Sequence, residues 1–356
     1  MALLPEIKVY FTKQAATFND RSERGNVILI IRDSGASKVN GSVYTSLSDF
    51  EGDASKYTAS NQTAIRDALS FAPYALYVVA VGASDTLDKA LALVPGICKT
   101  GWITVAGITA DDSTALVTWI KAQEADGKSY KAVVYNNAAD DAHIVNFATT
   151  AVVWKDGRKA DASTYTPSIA AILATCNVKR GATNFECSNL TSVTEPASLA
   201  SAIGAGQLVL LNDEDGNVRI ASAVNSLTTV DDTVGADMTR VEVVEAMDMM
   251  IDDIRSNFRK NFMGKYKNTR GNQMVFVAEM NTYFEQLAVN DVIGDDYTCD
   301  LNVSAQRDAW EKAGKDTSDW TDNQVKDHPF RRSMFVAASV IILESIETLD
   351  FSIALE

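Results

Sequence analysis

The chain reads as an α/β N-terminal domain followed by an α+β C-terminal domain, with extended β-strand arms at the N- and C-termini. Three observations predict this. Apolar β-branched runs alternate with helical stretches through the first half, the pattern of an at least partly parallel sheet covered by helices. A long apolar stripe at helical spacing opens the last third. Both ends alternate apolar and polar side chains with a period of two. At 356 residues the chain exceeds the roughly 150 residues of one typical domain, and the polar, acidic SLTTVDDTVGADM at residues 226–238 suits a boundary. The expected organisation is an N-terminal arm over residues 1–24, an α/β domain over 25–230, an α+β domain over 231–345 and a C-terminal arm over 346–356.

In order, Ile7, Val9 and Phe11 alternate with Lys8 and Tyr10 as a short strand, and the polar QAATFNDRSERG sets it apart. NVILIIRD suits a central strand because it is continuously apolar and β-branched. A Gly/Ser-rich loop follows to about residue 59. NQTAIRDALSF reads as helix, YALYVVAVG as strand, DTLDKALALV as helix and WITVAG as strand. DDSTALVTWIKAQEA is helical, with Asp111 or Asp112 as its cap, and KAVVYN is a strand. A turn at residues 155–159 precedes a helix at 167–174. Strands at 207–211 and 218–223 flank NDEDGN, whose Asp-Gly step marks a hairpin.

Beyond the boundary, Val244, Met247, Ile251, Ile254, Phe258 and Phe262 fall at steps of 3 and 4. That is one face of a helix of about six turns. A helix at 274–287, a β-like DYTCDLNV, a helix at 304–313 and a long buried strand at 334–343 complete the domain. After a turn in SIETLD, Leu349, Phe351, Ile353 and Leu355 alternate with Asp350, Ser352, Ala354 and Glu356.

Composition narrows the function. With 32 Lys and Arg against 47 Asp and Glu, the formal net charge is -15, which repels nucleic acid and anionic membrane. The longest apolar runs are roughly half of the ~20 residues a membrane-spanning helix needs, and MALLPEIKVYFTK makes a poor signal peptide. Cys98, Cys176, Cys187 and Cys299 never approach CxxC spacing and are read as reduced thiols. No P-loop is present, and Gly204 and Gly206 precede a strand where a nucleotide loop requires a helix. His143 and His328 are the only histidines and neither has a ligand partner at helical or hairpin spacing. No G-x-S-x-G elbow accompanies His143. No catalytic residue, cofactor or metal is therefore assigned. The rival readings are a soluble α/β enzyme, whose triad could assemble in space without a sequence signature, and an adaptor that does not polymerise.

Four segments carry a resemblance: RSERGNVILIIRD at 21–33, VRIASAVNSLTT at 218–229, VVEAMDMMIDDIRSNFRKNFMGKYKN at 243–268 and SIETLDFSIAL at 345–355. Together and in this order they resemble contractile tail sheath proteins, in particular the short forms of phages and phage-tail-like bacteriocins of Gram-positive bacteria. The resemblance implies a non-enzymatic subunit that stacks in six-fold rings around a tail tube and contracts to drive that tube through a target envelope. Its partners would be other copies of itself, the tail tube protein, and baseplate and tail terminator proteins, with no direct nucleic acid contact or membrane insertion. It implies a place in a virion tail or tail-like particle, assembled in the bacterial cytoplasm. In that family the two arms link subunits, a role falling here on Ile7, Val9, Phe11, Leu349, Phe351, Ile353 and Leu355. An amphipathic strand with unpaired backbone groups can do so by joining a neighbour's sheet.

One charge pattern remains. Arg255, Arg259, Lys260, Lys265, Lys267 and Arg270 occur without an intervening acid. Two readings stand. A solvated helix C-terminus favours cations through its dipole, which accounts for Arg259 or Lys260 but not for a stretch continuing past Gly264. A patch docking on an acidic surface, in a sheath the outside of the tube, accounts for the whole run.

Overall fold

The computed structural model describes residues 24–353, apart from 177, 179, 232 and 233. Its described residues divide into two compact units, one holding the chain from residue 24 to Glu245 together with residues 345–353, the other Ala246–Glu344. Residues 234–245 thus belong to the first unit.

The first unit is built on seven strands: β1 (Asn26–Arg32), β2 (Val43–Tyr44), β3 (Ala75–Val81), β4 (Gly101–Val105), β5 (Tyr130–Tyr135), β6 (Ile144–Phe147) and, later in the chain, β10 (Gln207–Leu208). Their order is β10-β6-β5-β4-β1-β3-β2. Every pairing is parallel except that of the edge strand β2 with β3. β1 is central and buried on both faces, which is why its sequence does not alternate. Val27, Leu29 and Ile31 enter one apolar cluster with Ile65, Leu69, Ile169 and Ile172 from helices Ala59–Leu69 and Thr166–Thr175. Ile28 and Ile30 enter the opposite cluster with Leu87, Leu91, Leu116 and Ile120. The sheet is a layer between two layers of helices.

The sequence reading holds for β1, β3, β4 and β5 and for the helices between them, with several corrections. Helix Ala110–Ala125 is capped by Thr109, which accepts from the Asp112 amide, while the Asp112 carboxylate accepts from the Thr109 amide. Neither Asp111 nor Asp112 is the cap; the reciprocal pair needs Ser or Thr at the first position and an acceptor at the third helical one. The loop after β1 contains helices Ala36–Val39 and Leu47–Glu51, and DTLDKALALV splits into helices Leu87–Leu91 and Val94–Ile97. A small sheet, β7 (Ala151–Trp154), β8 (Lys159–Asp161) and β9 (Leu190–Val193) in the order β8-β7-β9, has no counterpart in the reading. The strand at 207–211 is two strands. β10 joins the main sheet, and beyond Val209 β11 (Leu210–Asn212) pairs with β12 (Val218–Ile220) around the expected turn, where Gly216 has φ +82°.

Helix Val241–Asn257 ends in a π-helical turn, Phe258–Phe262. Of its stripe, Val244, Met247 and Phe262 are buried, while Ile251, Ile254 and Phe258 are half-buried. In the second unit, helix Arg270–Val289 packs Phe276 edge-on against Phe262, ring centroids 5.0 Å apart. Helices Val303–Lys312 and Asp322–Asp327 follow the antiparallel strand β13 (Thr298–Leu301), which pairs with β14 (Val336–Ser339). The expected buried strand at 334–343 is a correction. Regular pairing covers only β14, because β13 is four residues long, and Ala337, Ala338 and Ser339 are exposed. The chain stays extended beyond Val340 on a different partner: Gly294 N–H donates to Ile341 O at 2.9 Å and Leu343 N–H to Val292 O at 3.1 Å.

Candidate assembly segments

Helix Val241–Asn257 supplies Glu242 near its start, and this carboxylate fixes the start of the C-terminal segment. The Ser345 amide donates to Glu242 at 3.2 Å and its hydroxyl at 2.7 Å, while the Gly181 amide donates to Ser345 Oγ at 2.7 Å. A Cβ on Gly181 would stand 2.8 Å from Glu242 Oε2 and 3.0 Å from Ser345 Oγ, so a side chain there would displace these two groups from their present positions. Two residues on, Glu347 pairs with Arg240. Beyond these anchors the described segment is in water: Leu349 is 83% exposed, Phe351 73% and Ile353 74%, and between the two anchors Ile346 is 96% exposed. Residues 344–353 adopt no regular strand. The alternation that suggests a strand is present without a sheet to receive it. Leu355, like Ile7, Val9 and Phe11, lies outside the described residues.

The six cations run from one helix into the next. Arg255 is in the last turn of Val241–Asn257, Arg259 and Lys260 are in the π-helical turn, and Lys265 and Lys267 are in the loop after Gly264 (φ +74°). Arg259, Lys260, Lys265 and Lys267 are exposed, as is Tyr266, whereas Arg255 is half-buried. The Lys265 ammonium donates to the Lys260 carbonyl, folding the loop back on the turn. Arg270 differs: it opens the next helix and pairs with Asp327 at 2.6 Å.

Two further polar clusters were not legible as sites in the sequence. At the amino ends of the parallel strands, Lys131 on β5, 2% exposed, stands 3.3 Å from Glu245, itself 6% exposed. Glu245 also accepts the Trp102 indole N–H at 2.7 Å and Arg24 Nη1 at 3.2 Å. Gly101, with φ +147°, keeps this corner open: a Cβ would meet the Asn26 carbonyl oxygen at 2.8 Å. At the carboxyl end of β1, where open parallel sheets usually take their ligands, Arg32 donates to both Asp112 oxygens at 2.6 and 3.1 Å. Asp33 accepts from the amides of Gly35 and Thr58, the Thr58 hydroxyl and the Asn61 side chain. Burial opposes ionisation of Asp33 and Asp112, but these hydrogen bonds outweigh it and hold both below the ordinary carboxylate pKa. The charged groups at the switch point are engaged with the protein's own loops.

Comparison with known proteins follows the same lines. Residues 233–356 match the family described as the phage tail sheath C-terminal domain. Along 364 aligned positions the chain is 23% identical to a tail sheath protein of Clostridium phage phiCD119, covering 99% of both chains. The fold is similar to the crystal structure of a sheath tail protein from Desulfitobacterium hafniense, with a TM-score of 0.68 at 15% identity over 95% of this chain and 100% of that one. It is similar, too, to the contracted helical sheath of the anti-feeding prophage, with a TM-score of 0.68 at 12% identity over 100% of this chain and 99% of that one. The resemblance read from the four sequence segments is borne out: the C-terminal third matches the phage tail sheath C-terminal domain, and the chain is similar along nearly its whole length to tail sheath proteins.

Proposed function

We propose that this chain is the subunit of a contractile sheath, which polymerises with copies of itself around a tail tube and contracts to drive the tube through a target envelope. The observation that carries the reading is the C-terminal segment: it is tied down at Ser345 and Glu347, yet offers Leu349, Phe351 and Ile353 to solvent in strand alternation. Such a segment is matched to a sheet edge on another copy. The two-stranded sheet β13–β14 has outer edges of the required kind among the described residues. Ile7, Val9, Phe11 and Leu355 complete the two arms in this reading.

The exposed cations Arg259, Lys260, Lys265 and Lys267 would face the acidic outside of the tube. Arg255 and Arg270 would support them. Baseplate and tail terminator proteins would bound the polymer at its ends, in a virion tail or tail-like particle assembled in the bacterial cytoplasm. The role is mechanical and requires no enzymatic step, in keeping with a switch point whose Arg32, Asp33 and Asp112 are held in internal hydrogen bonds. Electron microscopy of the purified protein tests this. Hollow helical tubes are expected, and monodisperse particles with substrate turnover would replace the proposal by an enzyme.

A further inference from the structure

Glu124, Asp141 and His143 each offer a ligand atom, all within 4.8 Å of one another. Glu124 is in the last turn of helix Ala110–Ala125, Asp141 in the loop after β5 and His143 next to the first residue of β6. His143 Nδ1 lies 3.6 Å from a Glu124 oxygen and 3.9 Å from Asp141 Oδ1. The loop is held on several sides. The Asp141 amide donates to Ser226 Oγ, whose hydroxyl donates back to the Asp141 carbonyl. Asp140, in the left-handed region at φ 50°, accepts from the amides of Thr228 and Thr229. The His143 amide donates to Asp141 Oδ1 at 2.8 Å. The loop that carries Asp141 and His143 is therefore held before any ligand arrives, while the Glu124 side chain is 48% exposed.

We propose that these three side chains form a site for a divalent transition-metal ion of the zinc class. One imidazole nitrogen with two carboxylate oxygens is a donor set that zinc, cobalt and nickel accept, whereas magnesium and calcium prefer oxygen alone. Two ligands about 2.1 Å from one tetrahedral ion stand about 3.4 Å apart, so the two separations of 3.6 and 3.9 Å from His143 are near that value, and the three atoms, all within 4.8 Å, must draw together around the ion. Three protein ligands leave the fourth position to water. Lys121 is the neighbouring cation, its ammonium 4.0 Å from Asp141 Oδ2 and bonded to the Ala139 carbonyl. With two carboxylates and one ammonium the cluster carries one net negative charge, which the ion would more than neutralise as Lys121, 44% exposed, turns to solvent. The ion would fasten the end of helix Ala110–Ala125 to the start of β6 and strengthen the α/β unit.

The test is calorimetric titration of the full-length protein with zinc ions alone, with cobalt ions in parallel for their visible ligand-field absorption. Binding of one equivalent is expected, with a raised thermal midpoint. Glu124→Gln and His143→Gln should each weaken binding by about tenfold or more, with folding checked by circular dichroism. His328→Gln should leave it unchanged, since that ring packs tilted against Trp320 and bonds the Gln324 carbonyl. Should His143→Gln fail to fold, Glu124→Gln decides alone, its side chain being half in water. No binding by the native chain, or equal binding by the folded Glu124 and His143 variants, overturns the assignment.

Discussion

Removing residues 349–356 takes away the exposed Leu349, Phe351 and Ile353 and leaves the anchors of the segment, Ser345 on Glu242 and Glu347 on Arg240, intact. Because Leu349, Phe351 and Ile353 are 83%, 73% and 74% exposed, their loss withdraws no core contact. Unfolding free energy should then change by no more than about 0.5 kcal/mol, a thermal shift of about 1 to 2 °C. The effect on assembly is different in kind. Burying the four apolar side chains of this arm against a neighbour contributes about 6 to 12 kcal/mol, at about 1.5 to 3 kcal/mol each. Ordering eight backbone residues opposes it with about 8 to 16 kcal/mol, and several ladder hydrogen bonds at about 0.5 to 1.5 kcal/mol each return most of the difference. One arm is thus within a few kcal/mol of neutral, and a polymer holds because many arms act together. A near-neutral linkage is sensitive to small losses, so Phe351→Asp alone should shorten the tubes and the truncation should abolish them. Electron microscopy with sedimentation, alongside thermal unfolding of the same samples, reads both halves of the prediction. Tubes of normal length from the truncated chain would refute the reasoning, as would a truncated chain that no longer folds.

Three other outcomes are expected. Reversing Lys260, Lys265 and Lys267 to Glu should impair assembly on tail tubes while sparing tube-free polymers, and the native interaction should weaken with salt, which screens exposed charge over about 8 Å at physiological strength; pull-down with purified tubes across a salt series checks it. Glu245→Ala removes the carboxylate with which the buried Lys131 and Arg24 both pair, and should destabilise the protein by about 3 to 5 kcal/mol in urea unfolding. Asp33 and Asp112 have folded pKa values below the ordinary carboxylate value, so their contribution is complete above about pH 4 and is lost as pH falls through the folded values; acid titration of Asp33→Asn should show a shallower loss of stability below about pH 4 than the native chain.

Which features the sequence settles depends on how local their physics is. β1, β3, β4 and β5 are legible because a strand buried on both faces must be continuously apolar, and helix Ala110–Ala125 because an acidic first turn opens a run free of Gly and Pro that stops at Gly127, although its cap is Thr109 and not Asp111 or Asp112. The alternation of residues 349–355 likewise announces a strand with one apolar face. Tertiary structure decides the rest. Whether that strand has a sheet depends on a partner, and Leu349, Phe351 and Ile353 find none within the described chain, so their exposure is invisible to periodicity. Arg270 looks like one more cation of the run until Asp327 is brought against it. The order β10-β6-β5-β4-β1-β3-β2 cannot be read from strands whose neighbours are remote in sequence. Lys131, Trp102, Arg24 and Glu245, like Glu124, Asp141 and His143, carry no motif. Their meeting is set by the register of the sheet and the ends of its helices, because charge and coordination act through distance in space, which the fold alone supplies.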